Sequence, residues 1–236
     1  APRRAQAQAM DRPKMPAPRT VTSCIAISRP FLQCRAVAQG VRETQVTDQQ
    51  AVLTWRDGGV PVSDRFDDPY FSLQDGLAET RHVFLAGNGL PERFAPGFHI
   101  AELGFGTGLN MLTAWAAWEQ AGQDTPLRFT SFEAFPMAAE DRARALDAFP
   151  ELTPWVARFC EGWTGAGCDL PTLRLEVIHG DARQTLPEWR GAADAWFLDG
   201  FSPAKNPELW QPDLMAEVAR HTVPGGTAAT YTAAGF

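Results

Sequence analysis

The chain holds 236 residues in 25.8 kDa, with 44% hydrophobic and 21% charged residues and a mean hydropathy of −0.23. That is ordinary globular composition, and it excludes collagen, coiled coil and wholesale disorder. The longest apolar runs are short, Ala114 to Trp118 among them, so no membrane span is expected. Four cysteines, Cys24, Cys34, Cys160 and Cys168, offer no C-x-x-C pair, so neither a disulfide scaffold nor a metal site is expected. A soluble cytoplasmic protein is the expectation.

Charge is unevenly placed. Residues 1–50 carry eight Lys and Arg against three Asp and Glu, a net of +5, while residues 51–236 carry a net of −12. An acidic body argues against indiscriminate polyanion binding but leaves room for a nucleic acid gripped by a local patch. Lys14 and Lys205 are the only lysines, so nearly all positive charge is arginine, whose planar fork matches phosphate.

Residues 1–50 contain Pro2, Pro13, Pro16, Pro18 and Pro30 and no sustained periodicity. They read as a disordered tail or an over-extended start, with strand character only at Cys24 to Ile27. Residues 51–97 read as a small addition to the main domain. Ala51 to Arg56 alternates as a strand, Asp57-Gly58-Gly59 turns it, and Val60 to Ser63 returns as a hairpin. Asp75 to Leu85 suits a helix with Leu77, Val83 and Phe84 inward, stopped by Gly87-Asn88-Gly89.

Strand and helix then alternate. Strands are expected at Phe98 to Leu103, Leu127 to Phe132, Leu173 to Ile178, Ala195 to Leu198 and Thr227 to Tyr231. Helices are expected at Leu109 to Glu119, Ala138 to Phe149, Pro154 to Cys160, Ala182 to Trp189 and Glu208 to His221. The first of these would bury Leu109, Leu112, Trp115 and Ala116 on one face. The pattern implies a doubly wound α/β domain over residues 98–236, a parallel sheet covered on both faces.

The turn after the first of these strands is the most informative segment. Glu102-Leu103-Gly104-Phe105-Gly106-Thr107-Gly108-Leu109-Asn110 ends a strand and opens a helix. The glycines allow a tight turn and close backbone approach by a ligand. A dinucleotide fingerprint would need Gly or Ala where Leu109 stands, and no triphosphate-binding loop is present. E-x-G-x-G-x-G is instead the pattern of S-adenosylmethionine-dependent methyltransferases, so Glu102, Gly104, Gly106, Gly108 and Asn110 are candidate cofactor residues. Glu133, at the end of the next strand, suits the ribose hydroxyls, and Asp181 in Gly180-Asp181-Ala182 suits the adenine amino group.

Asp199-Gly200-Phe201-Ser202-Pro203-Ala204 nearly matches a hydrolase nucleophile elbow. Pro203 defeats that reading, because the oxyanion hole needs the N–H of the residue after the nucleophile. Asp199 instead resembles the acid of the D-P-P-Y loop of amino-group methyltransferases, which with adjacent carbonyls holds a nitrogen nucleophile while an aromatic, here Phe201, stacks on a base. His82, His99, His179 and His221 are scattered and read as packing or surface residues.

A family resemblance rests on longer segments. They are Ala195 to Pro207 with Trp210, Asp67 to Ser72, Gly76 to Leu85, Gly87 to Phe94, Pro224 to Thr227 and Thr232 to Phe236. Over residues 51–236 the chain resembles the methyltransferase domain of the bacterial tRNA 5-methylaminomethyl-2-thiouridine biosynthesis proteins. The resemblance implies S-adenosylmethionine-dependent N-methylation of the 5-aminomethyl group on a tRNA wobble uridine. It casts Asp199 and Phe201 as catalytic residues, and Tyr70 and Lys205 as contacts to the tRNA substrate. Many family members continue into an FAD-dependent oxidoreductase domain that generates the amine; this chain shows none of it, so FAD is not expected here. Members also carry two further strands after the position of Phe236, so the core is expected to lack its last strands, leaving an exposed sheet edge. Two other readings stand beside this one, a methyltransferase of the same fold acting on another amine and a non-catalytic RNA-binding module.

Overall fold

The computed structural model describes residues 50–72 and 75–231. The expected tail, its Cys24 to Ile27 segment and the Thr232 to Phe236 motif lie outside the described residues. The chain enters through three short antiparallel strands, β1 (Leu53–Arg56), β2 (Val60–Ser63) and β3 (Asp68–Pro69). The hairpin matches expectation. The two-residue β3, paired through Val62 to Pro69 and Ser63 to Asp68, is too short to leave a sequence signal. Helix α1 (Gly76–Thr80) is capped by the Asp75 carboxylate, runs on through a π turn (Arg81–Leu85), and stops where Gly89 turns left-handed at φ 63°.

The main sheet contains β4 (His99–Leu103), β5 (Leu127–Glu133), β6 (Gly167–Leu170), β7 (Leu173–His179), β8 (Ala193–Leu198) and β9 (Thr222–Thr230). Their order is β6-β7-β5-β4-β8-β9, with β6 antiparallel to β7 and the other pairs parallel. The five expected strands run parallel, as the doubly wound pattern implies, and β6 adds an antiparallel edge that was not expected. Strand β6 escapes sequence reading because Gly-Cys-Asp-Leu has little strand pattern. Gly167 is required there by close approach, since a Cβ would lie 2.1 Å from the Leu175 carbonyl oxygen.

Strand direction from β4 goes to β5 on one side and later to β8 on the other. This reversal opens a crevice at the carboxyl ends of β4 and β8, where ligands bind in such sheets. Alternation along the strands feeds two cores. Ile100, Phe129, Ala195 and Phe197 face helix α2 (Leu109–Gln120) and helix α4 (Thr153–Gly162). Ala101, Leu103, Phe132, Trp196 and Leu198 face helix α5 (Ala182–Glu188) and helix α6 (Pro212–Arg220). Helix α3 (Ala139–Leu146) follows β5.

Two expectations change here. Helix α2 buries almost its whole circumference, Met111, Ala114 and Trp118 included, rather than one face. The reason is that α1 and α4 cover the side turned away from the sheet. The single helix expected over Glu208 to His221 is split into a 3-10 turn (Pro207–Trp210) and α6. Pro212 has no N–H to continue the preceding turn and its fixed φ starts a new helix well.

Candidate active site

One cleft of about 800 Å³ opens at the β4/β8 crevice. Among the residues lining it are Gly104, Gly106, Asn110, Glu133, Asp181, Asp199, Phe201 and Tyr70. The sequence places these on four strand ends, one helix start and the small N-terminal sheet. The fold brings them to one cavity.

The glycine loop forms its floor. Gly104 adopts φ 91°, and a Cβ there would stand 2.3 Å from the backbone oxygen of Asp199. Only glycine lets the end of β4 lie so close to the end of β8. Gly106 adopts φ 49° and donates its N–H to Glu133 Oε2 at 2.9 Å. Glu133 Oε1 accepts from the Phe135 N–H at 2.7 Å, which fixes the carboxylate at the rim. Gly108, at φ 77°, is the residue before α2 and leaves the helix's first N–H groups near the loop.

Glu102 is fully buried beneath this floor and does not line the cleft. Its Oε1 accepts from Asn110 Nδ2 at 3.0 Å and its Oε2 from Ser131 Oγ at 2.7 Å. Burial drives its pKa well above the carboxylate range, with the Ser131 hydrogen bond opposing. Glu102 thus supports Asn110 from behind, where a direct ligand contact was expected. Asn110 Nδ2 also reaches Asp199 Oδ2 at 2.6 Å, and Thr80 Oγ1 donates to Asn110 Oδ1 at 3.0 Å. Both Asn110 donors are therefore held by protein carboxyl groups.

Asp199 ends β8. Desolvation raises its pKa to about 6, and the Asn110 hydrogen bond holds it from going higher. Phe201 stacks on Phe66 at a centroid distance of 4.7 Å and meets Tyr70 edge-on at 5.2 Å. Burial pushes the Tyr70 phenol up, and the charge of Glu133 adds to that. Asp181 caps α5 through the Arg183 N–H at 2.9 Å and also binds the Arg183 guanidinium, whose hydrogen bonds lower its pKa.

Lys205, like Glu102 and Gly108, does not line the cleft. Its Nζ hydrogen-bonds the Asp67 carbonyl and stands 3.6 Å from Asp68 Oδ1. With the Ser202 N–H donated to Asp68 Oδ2 at 3.1 Å, it ties the loop after β8 to β3. Sequence reasoning missed Thr80, Phe66, Phe135 and Arg183, all of which line the cleft. Nothing at their positions departs from ordinary helix or loop usage. The histidines lie outside it: His99 Nε2 pairs with Thr130 Oγ1 at 2.9 Å, and burial lowers its pKa to about 4. Among the described residues no group of His, Cys, Asp and Glu is arranged for a metal, and no helix is long and apolar enough to cross a membrane.

A family model described as S-adenosyl-L-methionine-dependent methyltransferase matches residues 152–236. The chain is 47% identical over 201 residues to a tRNA 5-methylaminomethyl-2-thiouridine biosynthesis bifunctional protein MnmC of Pseudomonas aeruginosa, a match covering 80% of this chain and 31% of that protein. It is 43% identical over 212 residues to the protein of the same name from Aeromonas salmonicida, covering 82% of this chain and 32% of that protein. The chain thus spans about a third of the length of these curated relatives. A crystal structure of MnmC2 from Aquifex aeolicus shares the fold with a TM-score of 0.61 at 24% identity, over 80% of this chain and 62% of that one. Sheet order, glycine loop and these matches agree, and the chain belongs to the bifunctional tRNA 5-methylaminomethyl-2-thiouridine biosynthesis family as its methyltransferase domain.

Proposed function

We propose that this domain transfers a methyl group from S-adenosylmethionine to the 5-aminomethyl nitrogen of a tRNA wobble uridine. One observation carries the reading: a single cleft is lined by the glycine loop, Glu133 and Asp181 and also by Asp199, Phe201 and Tyr70. The residues suit the methyl donor. Gly104 and Gly106 lack the Cβ atoms that would crowd the Asp199 carbonyl oxygen and the Tyr70 ring across the cleft, and Glu133 offers a carboxylate to hydroxyl groups at a strand end. Asp181 offers another to the adenine side. When bound, S-adenosylmethionine supplies an electrophilic methyl carbon on a sulfonium.

The chain's own task is then to present a neutral nitrogen lone pair along the attack line. A free alkylamine is mostly protonated near neutrality, as lysine's reference value of about 10.4 illustrates. The desolvated cleft favours the neutral amine. Asp199, mostly ionised above pH 6, accepts an N–H from the amine and so turns the lone pair outward. The same charge would also favour an ammonium, so orientation is its main service. Phe201, backed by Phe66, offers an aromatic surface to the uracil ring.

The length and bifunctional name of the relatives support a second, oxidoreductase part acting with this domain, in one polypeptide or apart. Residues 51–97 serve as an addition that completes the cleft and anchors the loop after β8. The test is transfer of labelled methyl to tRNA bearing 5-aminomethyl-2-thiouridine. Label on the wobble uridine is expected; label only on free amines would replace the tRNA reading with a small-molecule one.

A further inference from the structure

We infer that Thr80, acting through the Asn110 carboxamide, positions the Asp199 carboxylate, and that it is a positioning residue for the amine. The inference rests on the reading of Asp199 as the group that holds the amine. Thr80 sits at the end of α1, in the segment before the doubly wound core, and is 5% exposed. Its hydroxyl crosses to α2 and donates to Asn110 Oδ1 at 3.0 Å.

The proton inventory makes this contact directional. The Asn110 amide nitrogen has two hydrogens, taken by Glu102 Oε1 and Asp199 Oδ2. Asp199 is mostly ionised at pH 7 and then only accepts, so the nitrogen end must face it and the carbonyl end must face a donor. Thr80 is that donor. Without its hydroxyl, the buried Oδ1 loses its partner, and rotation of the carboxamide toward another donor would draw Nδ2 away from Asp199. Packing alone would ask only for a side chain of this shape, and valine supplies one. The network demands a hydroxyl, and serine supplies one.

The Asn110 hydrogen bond also opposes the desolvation that raises Asp199. Weakening it leaves the carboxylate easier to protonate, so the acid limb of the rate profile moves to higher pH. This readout does not follow from a general loss of folding.

Thr80→Val, Thr80→Ser and Asp199→Asn are compared with the parent chain in methyl transfer to tRNA carrying 5-aminomethyl-2-thiouridine, from about pH 5.5 to 9. Thr80→Val should lower kcat about tenfold at pH 7 and shift the acid limb upward, with S-adenosylmethionine affinity within about threefold. Thr80→Ser should restore both. Wild-type rate and limb in Thr80→Val, failure of Thr80→Ser to rescue, or parallel loss of cofactor affinity would each overturn the inference. If Asp199→Asn is inactive while Thr80→Val is normal, only the inference falls; if Asp199→Asn is fully active, the assignment of Asp199 falls and takes the inference with it. Thr80→Ala provides the same contrast with Thr80→Ser if the valine chain does not fold.

Discussion

Asp199 and Asp181 stand at the ends of two strands of one sheet and line one cleft, yet they are held in opposite ways. Among the described residues no cation forms an ion pair with Asp199, and desolvation raises its pKa to about 6. Asp181 lies in the fork of an exposed Arg183, and those hydrogen bonds lower its pKa. Burial decides the first and pairing the second. The centre of the sheet therefore stores unfavourable energy in a charged group, whereas its flank carries a solvent-exchanging contact worth about 0–1 kcal/mol. Of the two, only Asp199 carries this desolvation cost at the cleft.

The largest effect that sharpens this contrast is expected from the backbone. Gly104→Ala would set a Cβ 2.3 Å from the Asp199 carbonyl at a φ of 91°, so the end of β8 must move. We expect a loss of about 2–4 kcal/mol in stability and of about a hundredfold or more in turnover, read by melting and single-turnover rates. Gly180→Ala, beside Asp181, shares the backbone strain of a positive φ, 134°, but meets only the Thr185 methyl at 3.0 Å rather than backbone, and should cost less. Equal costs would erase the distinction between the two ends.

Asp199→Asn tests the stored energy with opposite signs in two assays. Turnover should fall about a hundredfold or more. Stability should rise. The folded pKa of about 6 lies above the ordinary 3.8, so the native state binds more protons across that window and loses stability as pH climbs through it. The asparagine chain carries no such penalty and should melt higher than the parent at pH 8, by about 1–3 kcal/mol. A lower melting temperature at pH 8 would contradict the burial argument. The same group gives the parent's turnover an acid limb near pH 6, absent in a chain where Asp199 plays no part.

Glu133→Ala removes a carboxylate from the rim and frees the Gly106 and Phe135 N–H groups. Cofactor affinity measured by calorimetry should weaken by about 1–3 kcal/mol, with little change in the pH limb. The smallest effect belongs to the flank: Asp181→Asn should change stability by less than about 1 kcal/mol and, with its lowered pKa, in the direction opposite to Asp199→Asn above pH 5. A larger penalty at Asp181 than at Glu133 would reverse the ranking of the two sides.

Much of this was legible in the residues. Short apolar strands such as Phe98 to Leu103 and the E-x-G-x-G-x-G turn carry local signals, because backbone conformation and burial act on neighbouring positions. β6 and β3 were not legible, since each is short and is held by a partner strand rather than by its own pattern. Glu102 reads as a ligand contact in sequence because spacing gives a residue's position along a strand but not the depth at which it ends. Thr80 lies within the Gly76 to Leu85 segment of the resemblance, but nothing in the sequence singles out either it or Phe66 as a site residue. Their roles arise from tertiary packing of the small N-terminal segment against the sheet edge, a relation between residues as far apart as Phe66 and Phe201.

The central claim is that one cleft holds the methyl donor while Asp199 serves the amine. Single-turnover methyl transfer to tRNA bearing 5-aminomethyl-2-thiouridine, at saturating S-adenosylmethionine, tests it most directly in the parent chain and in Asp199→Asn. The parent should label the wobble uridine and the variant should do so about a hundredfold or more slowly although its cofactor site is filled. Equal rates in the two chains, or a variant defect that more cofactor repairs, would contradict it.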